Sequence, residues 1–386
     1  MVVLKFGGSS LKSIGLIKEV AKKIIEIKKK EKKVVVVVSA MGKTTDNFYK
    51  DINSINKNAS KDLIDCLLNL GELKSVFLLS ICIESFGEKV VGLNGGQAGI
   101  IAGGNHTNGF IKKINTNIIN NLLNDNKIVV VAGFCGETQD KKIITLGRGG
   151  SDTTAVAIAS AFKCKCVIYT DVNAVSALDP RVFSDAKKYN QISTDDMLEF
   201  SAFGAKVLET RCVELAKKNN INIELTDPCE SDKTIISDNF ENLNICGVSL
   251  IEKVVSFSIV ANNYKKELIL DVFKDCLSKL FMLQFSNFKD IIKIKTAILQ
   301  TDLEKISKKC KKYANSVNIL QNLSIVSIVG YGFVSHVQNV INIINKLTNS
   351  GFKIVKTAQT ERVFNILCEE EDAVKIMAYL KNLLHL

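Results

Sequence analysis

The sequence predicts an α/β protein with a mainly parallel N-terminal sheet sandwiched by helices, followed by a pair of βαββαβ ferredoxin-like modules. Three observations predict it. Apolar runs in the first half, such as the five valines Val34 to Val38, are unbroken by polar residues, the pattern of strands buried on both faces of a parallel sheet. Each run ends in a turn of glycine and hydroxyl residues and is followed by a helix-like stretch. From Ser231 onward Gly-rich turns thin out, and strands alternate with amphipathic helices in two similar blocks.

Val2 to Phe6 reads as a short buried strand, followed by Gly7-Gly8-Ser9-Ser10 and a helix from Leu11 to about Lys30. Lys33 to Ser39 is the second strand, ending in Ser39-Ala40-Met41-Gly42-Lys43-Thr44-Thr45-Asp46. A helical region from about Lys61 to Ile83 carries Gly71-Glu72. Ile128 to Ala132 is a third buried strand, ending at Gly133-Phe134-Cys135-Gly136. A strand-like run from Lys141 to Thr145 leads through Leu146-Gly147-Arg148-Gly149-Gly150-Ser151-Asp152 into a helix from Thr153 to Ala161. Cys166 to Tyr169 is the fourth buried strand, ending at Thr170-Asp171. The first C-terminal block places strands at Val254 to Val260 and Lys293 to Leu299, with helices at Lys265 to Leu280 and Asp302 to Tyr313. The second places strands at Ser324 to Gly330, Phe352 to Lys356 and Arg362 to Cys368, with helices at Val334 to Asn349 and Asp372 to Leu383. The boundaries that follow are a first domain over 1–230, a linker over 231–247, and modules over 248–320 and 321–386.

Composition narrows the function. With 386 residues, 46% hydrophobic and 24% charged, the chain has a sizeable core and reads as globular. No run approaches the roughly 18 apolar residues of a membrane span, and no signal peptide precedes Val2-Val3-Leu4, so a cytoplasmic protein without a membrane partner is expected. The eleven cysteines, among them Cys66, Cys82 and Cys276, sit among apolar neighbours and read as small buried hydrophobes of a reducing compartment. Cys164-x-Cys166 lacks a second pair at metal spacing, and no metal-ligating residues are assigned. The net charge of +11 comes from lysines spread along helix-like segments without interleaved aromatics, which argues against nucleic acid and for a solvated basic surface with an anionic small substrate.

Each turn named above lies at the carboxyl end of its strand, the edge where open parallel sheets bind ligands. Glycines there let the backbone approach an anion, and a following helix presents unpaired N–H groups. The chain has four arginines, Arg148, Arg181, Arg211 and Arg362, against a large excess of lysine. Arg148 therefore offers a planar fork for a carboxylate or phosphate that a point charge does not supply. Taken alone, its loop reads equally well as a capping turn with a surface arginine. Five such turns on one edge favour a ligand site.

Together these turns resemble the aspartokinase members of the amino-acid kinase family. The resemblance rests on Lys5-Phe6-Gly7-Gly8-Ser9-Ser10, on Val36 to Asp46, on Gly133-Phe134 and on Thr145 to Thr154. It continues in Tyr169-Thr170-Asp171-Val172, Asp179-Pro180-Arg181 and Phe203-Gly204-Ala205-Lys206-Val207-Leu208, so that it covers residues 1 to about 225. It implies the amino-acid kinase fold and an enzyme joining the γ-phosphate of ATP to the side-chain carboxylate of L-aspartate, with Mg²⁺ bridging the phosphates. Carried over by position, Lys5 contacts the transferring phosphate, Gly7 and Gly8 donate N–H groups, and Asp152 orients the active-site lysines. Arg148 clamps the α-carboxylate and Glu72 pairs with the α-ammonium, in a pocket shaped by Ser39, Thr45, Phe134 and Ser151. Thr170, Asp171, Arg181 and Lys206 surround the nucleotide. A solvated surface carboxylate is the competing account of Glu72.

The sequence departs from that pattern in two places. Val172-Asn173-Ala174-Val175-Ser176 lacks a glycine after the Thr-Asp pair and has Ser176 in place of an aromatic residue. Leu208-Glu209-Thr210-Arg211 replaces a histidine-proline. The C-terminal blocks resemble ACT modules through Val329-Gly330-Tyr331-Gly332-Phe333-Val334-Ser335-His336, although the effector loop of the first is absent at Ala261-Asn262-Asn263-Tyr264. A homodimer or higher homo-oligomer through these modules, and control by lysine or threonine, are what this implies. The alternatives are another amino-acid kinase, acting on acetylglutamate, glutamate or UMP, and a catalytically weak amino-acid sensor.

Overall fold

The computed structural model describes residues 1–205, 207–238, 245–274 and 280–386. The chain divides into two compact units, one of Met1–Ser176, Lys188–Ala202 and Lys206–Glu241, the other of Ala177–Lys187, Phe203–Ala205 and Asn242–Leu386.

The first unit is built on an eight-stranded sheet. Its strands run in the spatial order Gln191–Ser193, Lys233–Ser237, Ile223–Thr226, Lys165–Tyr169, Val2–Phe6, Val34–Val38, Ile128–Ala132 and Val90–Leu93. Neighbours are parallel except Ile223–Thr226 against Lys233–Ser237. The three valine-rich central strands are buried along their whole length, because helices cover both faces. Ile17, Val20 and Ile24 of the helix Ile14–Glu31 and Val76, Leu79 and Ile83 of the helix Lys61–Ser85 pack on Val2, Leu4, Phe6, Val34, Val36 and Val38. Lys5 alternates to the opposite face, which the helix Gly150–Phe162 covers. Phe6 is in register with Val38 and Tyr169, and Val38 with Ala132, so the four strands end level and their turns crowd one edge.

Several elements differ from expectation. The helix after the Arg148 loop starts at Gly150 rather than Thr153, since Gly149 takes a left-handed φ of 64° and turns the chain directly into it. Ser151 and Asp152 thus belong to its first turn. The strand before the loop is shortened to Ile143–Thr145, because Lys141 takes a φ of 62° in a turn. That strand joins Cys135–Glu137 and the hairpin Ile100–Asn105 and Asn108–Ile114 in a four-stranded sheet that was not anticipated. The helix Lys61–Ser85 is long and apolar enough to cross a membrane, yet half of its most apolar window is buried and Asp65, Asn69 and Glu72 face inward. It is a core helix of this unit.

The second unit holds a six-stranded antiparallel sheet in the order Phe281–Phe288, Ile291–Leu299, Gly247–Asn262, Ser316–Val329, Val363–Glu369 and Ile354–Gln359. The two central strands serve both blocks. Val254–Asn262 pairs with Ile291–Leu299, and Ser316 to Leu320 completes that block. Gly247 to Ile251 fills the fourth-strand place beside Leu323 to Val329 in the other block. The helix expected over Lys265 to Leu280 is observed over Lys266–Lys274, and the expected remainder at 275–279, with Cys276, lies outside the described residues. The strand Phe281–Phe288 escaped the sequence reading because its side chains from Leu283 on face solvent and leave no alternation to detect.

Most described cysteines are buried or half-buried and all are free, whereas Cys66 and Cys229 are exposed, so the buried reading does not extend to Cys66.

Candidate active site

The turns that follow Phe6, Val38, Ala132 and Tyr169 are stitched together by their own backbones. Ser39 N–H donates to the Phe6 carbonyl (3.2 Å), Gly42 N–H to Gly8 (2.9 Å) and Gly133 N–H to Val38 (2.9 Å). Gly7 N–H donates to the Tyr169 carbonyl (3.3 Å), so this expected anion donor is engaged within the protein. The Gly8 N–H stands at the start of the short 3₁₀ turn Gly8–Leu11, where helical N–H groups lack an internal partner.

Two glycines here have no room for a side chain. A Cβ on Gly8 would lie 2.5 Å from the Ala40 carbonyl oxygen, and one on Gly133 would lie 2.7 Å from Ser151 Cβ. Backbone meets backbone at Gly8, so Gly8→Ala must separate the first two loops. It is expected to lower stability by about 1–3 kcal/mol and to weaken nucleotide affinity, as read by thermal unfolding with and without ATP. An unchanged melting temperature would show that the loops part freely.

Three ionisable side chains meet in this enclosure. Lys5 is 8% exposed, and its Nζ lies 2.6 Å from Asp152 Oδ1, a charge contact whose angles are not those of a hydrogen bond. Lys5 is brought to this place by the strand pleat and Asp152 by the first helical turn. Glu72 is 3% exposed on the inner face of the helix Lys61–Ser85, so the surface-carboxylate account is overturned. Burial pushes its carboxyl group up to about 8, against the Ala40 N–H and the Lys5 charge, which hold it down. Its Oε2 is buried and has no hydrogen-bond partner. A buried carboxylate with an open lone pair is suited to a cationic ligand group.

The remaining candidates frame this centre unequally. Ser151 is buried against Gly133, and Ser39 precedes Ala40 at the strand edge. Phe134 takes a left-handed φ of 66°, which a bulky residue rarely adopts, and its ring leaves only 2.8 Å to a Cβ placed on Gly150. Thr45 lies half-buried on the helix Thr44–Ile55, which meets Gly71 through its neighbour Thr44. Arg148 is exposed and carries no hydrogen bond or ion pair to a described residue. Thr170 donates its N–H to the Thr226 carbonyl (3.0 Å) and its hydroxyl to Asp171 Oδ1 (3.0 Å), next to the Gly7 turn. Arg181 belongs to the second unit, where its Nε and Nη2 grip Asp179 at 2.9 and 2.7 Å. Lys206 lies outside the described residues.

Residues the sequence reading passed over support the site. Arg211, noted there among the four arginines and in a departure but given no role, donates Nη1 to the carbonyls of Leu146 (2.6 Å) and Gly109 (3.0 Å). Asp65 is wholly buried seven residues before Glu72, on the same helix face. Its two-turn spacing from Glu72 within an apolar helix was the available signal.

Residues 1–227 match the amino acid kinase family. The chain is 43% identical over 265 residues to an aspartokinase of Geobacillus stearothermophilus, a match covering 67% of this chain and 65% of that protein. It thus spans slightly under two thirds of that relative's length. Aspartokinase III of E. coli in complex with aspartate and ADP (R-state) superposes with a TM-score of 0.81 at 18% identity, covering all of both chains. The same enzyme with lysine and aspartate (T-state) gives 0.76 at 18% identity, covering 100% of this chain and 99% of that one.

Proposed function

Because the chain belongs to the amino acid kinase family, we propose that it transfers the γ-phosphoryl group of ATP to the side-chain carboxylate of L-aspartate, giving 4-phospho-L-aspartate. The observation that carries this reading is the buried Glu72 with its open Oε2 beside the Lys5–Asp152 pair. That juxtaposition gives an acceptor for an α-ammonium next to a cation for a phosphate. The relatives named as aspartokinases support the choice of aspartate.

The chemistry needs little from a base. An aspartate side chain titrates near ~3.9 and is already ionised at neutral pH. The protein must bring two anions together in line and offset their charge. Lys5, locked by Asp152, contacts the transferring phosphate. Gly8 opens a 3₁₀ turn, and Ser151 and Asp152 lie in the first turn of a helix, where N–H groups lack an internal partner and suit an anion. Glu72 holds the α-ammonium and Arg148 the α-carboxylate, with Ser39, Thr45, Phe134 and Ser151 around them. Thr170 and Asp171 serve the nucleotide, and Arg181 and Lys206 are assigned to it on the family resemblance alone. Mg²⁺ bound with the nucleotide would supply positive charge that offsets the phosphates. Among the described residues no group of three or more His, Cys, Asp or Glu side chains gathers that could hold a metal ion, and Asp152 pairs with Lys5.

In the second unit the two blocks serve as ACT-like modules through which the cytoplasmic enzyme forms a homodimer or higher oligomer. Lysine or threonine is the effector class, and the E. coli structure with lysine supports the first.

A coupled ADP-release assay tests the reading by comparing L-aspartate with glutamate, acetylglutamate and UMP. Turnover with another acceptor replaces the substrate, and no turnover with any favours a sensor. Arg148→Lys keeps the charge and loses the fork, so the aspartate KM should rise about tenfold or more while the ATP KM stays within about twofold. Equal changes would place the clamp on the wrong substrate. A flat response to added lysine and threonine would retire the effector claim.

A further inference from the structure

We infer that Asp65 is a positioning residue for the amino-acid pocket, holding the Arg148 loop at a set distance from Glu72 through a bridge to Thr145, His106 and Thr107. The inference rests on the aspartate-kinase reading for what occupies the pocket, and on geometry alone for the bridge.

Asp65 is wholly buried, and its carboxylate gathers donors from two other parts of the first unit. Thr145 Oγ1 donates to Oδ1 at 2.5 Å, His106 Nδ1 lies 2.7 Å from Oδ2, and the Thr107 N–H approaches both oxygens at 3.1 and 3.2 Å. The segments joined are far apart in the chain, by 80, 41 and 42 residues respectively. Thr107 holds a left-handed φ of 67° in the hairpin turn, which aims its N–H inward. Asp65 and Glu72 lie on one helix face about 10 Å apart along the axis, at 1.5 Å per residue.

Thr145 ends the strand Ile143–Thr145, and Arg148 follows three residues later. Within the loop one backbone bond, Gly150 N–H to the Gly147 carbonyl (3.1 Å), closes the turn, Gly147 and Gly149 take positive φ, and Arg148 bonds to no described residue. Its entry is fixed from outside. Leu146 N–H donates to the Phe134 carbonyl (2.8 Å), Arg211 holds the Leu146 carbonyl (2.6 Å), and Asp65 holds the Thr145 hydroxyl.

A free amino acid carries its ammonium and carboxylate on one carbon, at a separation the ligand cannot change. A pocket that reads both groups needs its acceptor and its clamp held at matching separation. The helix carrying Glu72 also carries Asp65, so one rigid element sets both ends. A buried carboxylate kept only for stability is a poor choice, because an apolar pair of the same shape serves as well.

Thr145→Val keeps the shape and removes the hydroxyl, whereas Thr145→Ser keeps the hydroxyl. In steady-state kinetics, Thr145→Val and Asp65→Asn should raise the aspartate KM about tenfold or more, the effect of a lost hydrogen bond to a charged group, with the ATP KM within about twofold. Thr145→Ser should remain within about threefold of the parent in both. Equal rises in the two KM values, or a fall in melting temperature with no change in either, would overturn the inference. Should the parent fail to phosphorylate aspartate, the kinase reading falls separately. Amide exchange over residues 146–152 of the full chain then decides the bridge. Faster exchange in Thr145→Val than in Thr145→Ser supports it, and equal exchange overturns it.

Discussion

Lys5→Met should lower kcat by about a thousandfold or more, because preorganised charge at the transferring phosphate is the main catalytic resource of a phosphoryl-transfer site. The strand pleat delivers Lys5 to the face covered by the helix Gly150–Phe162, and Asp152 at 2.6 Å holds its ammonium in place. Removing one partner of this nearly buried pair also leaves the Asp152 charge uncompensated, at a cost of about 3–5 kcal/mol. Loss of activity could then reflect unfolding. The double variant Lys5→Met with Asp152→Asn separates the two effects, since it removes both charges. It should recover much of the melting temperature and none of the rate, measured by thermal unfolding beside the coupled assay. Recovered turnover in the double variant would show that Lys5 serves the fold and not the reaction.

Glu72→Gln should raise the aspartate KM by about a hundredfold near pH 8, the worth of an ion pair and hydrogen bond in a dry pocket, with little change in kcat. The sign of its pH dependence follows from burial. The carboxyl group is raised from 4.5 to about 8, so the folded chain binds this proton more tightly than the unfolded one. The contribution to stability is fully present below pH 4.5 and is lost as pH rises towards about 8. The Gln variant carries no such titration, so it should match the parent at low pH and exceed it in melting temperature near pH 8. Substrate affinity runs the other way, because an ammonium group favours the ionised carboxylate. The parent's aspartate KM should therefore fall as pH rises from about 6 to about 8, by up to tenfold per unit, and the variant's profile should be flat. A parent profile as flat as the variant's would remove Glu72 from the ammonium site.

Much of the first unit was legible in the sequence because its signals are local. Val34 to Val38 announces a strand buried on both faces, and the Gly-hydroxyl turns mark where each strand stops. The same turns carried the family resemblance, and that resemblance pointed to Lys5, Asp152 and, within a helix, Glu72 as candidates. The hairpin Ile100–Asn105 and Asn108–Ile114 left no such trace, since one side is glycine-rich and the other mostly faces solvent. In the second unit, two shared central strands replace two self-contained sheets, because Gly247 to Ile251 pairs with Ile325 to Val329 across more than seventy residues. Pairings at that separation are set by which apolar surfaces meet, and no local pattern encodes them.

By itself the sequence determined the alternation of strands and helices, the sheet edge at which the turns gather, and the family. Tertiary structure alone decided the state of the charged groups. Glu72 reads as a surface carboxylate or a ligand until the helix is seen to turn it inward and leave Oε2 without a partner. Asp65 and His106 have no shared motif, and only the packing of hairpin against helix brings them to 2.7 Å. The reason is physical. Secondary structure follows from periodicities within a few residues, whereas desolvation and charge pairing depend on what the folded chain places alongside each group.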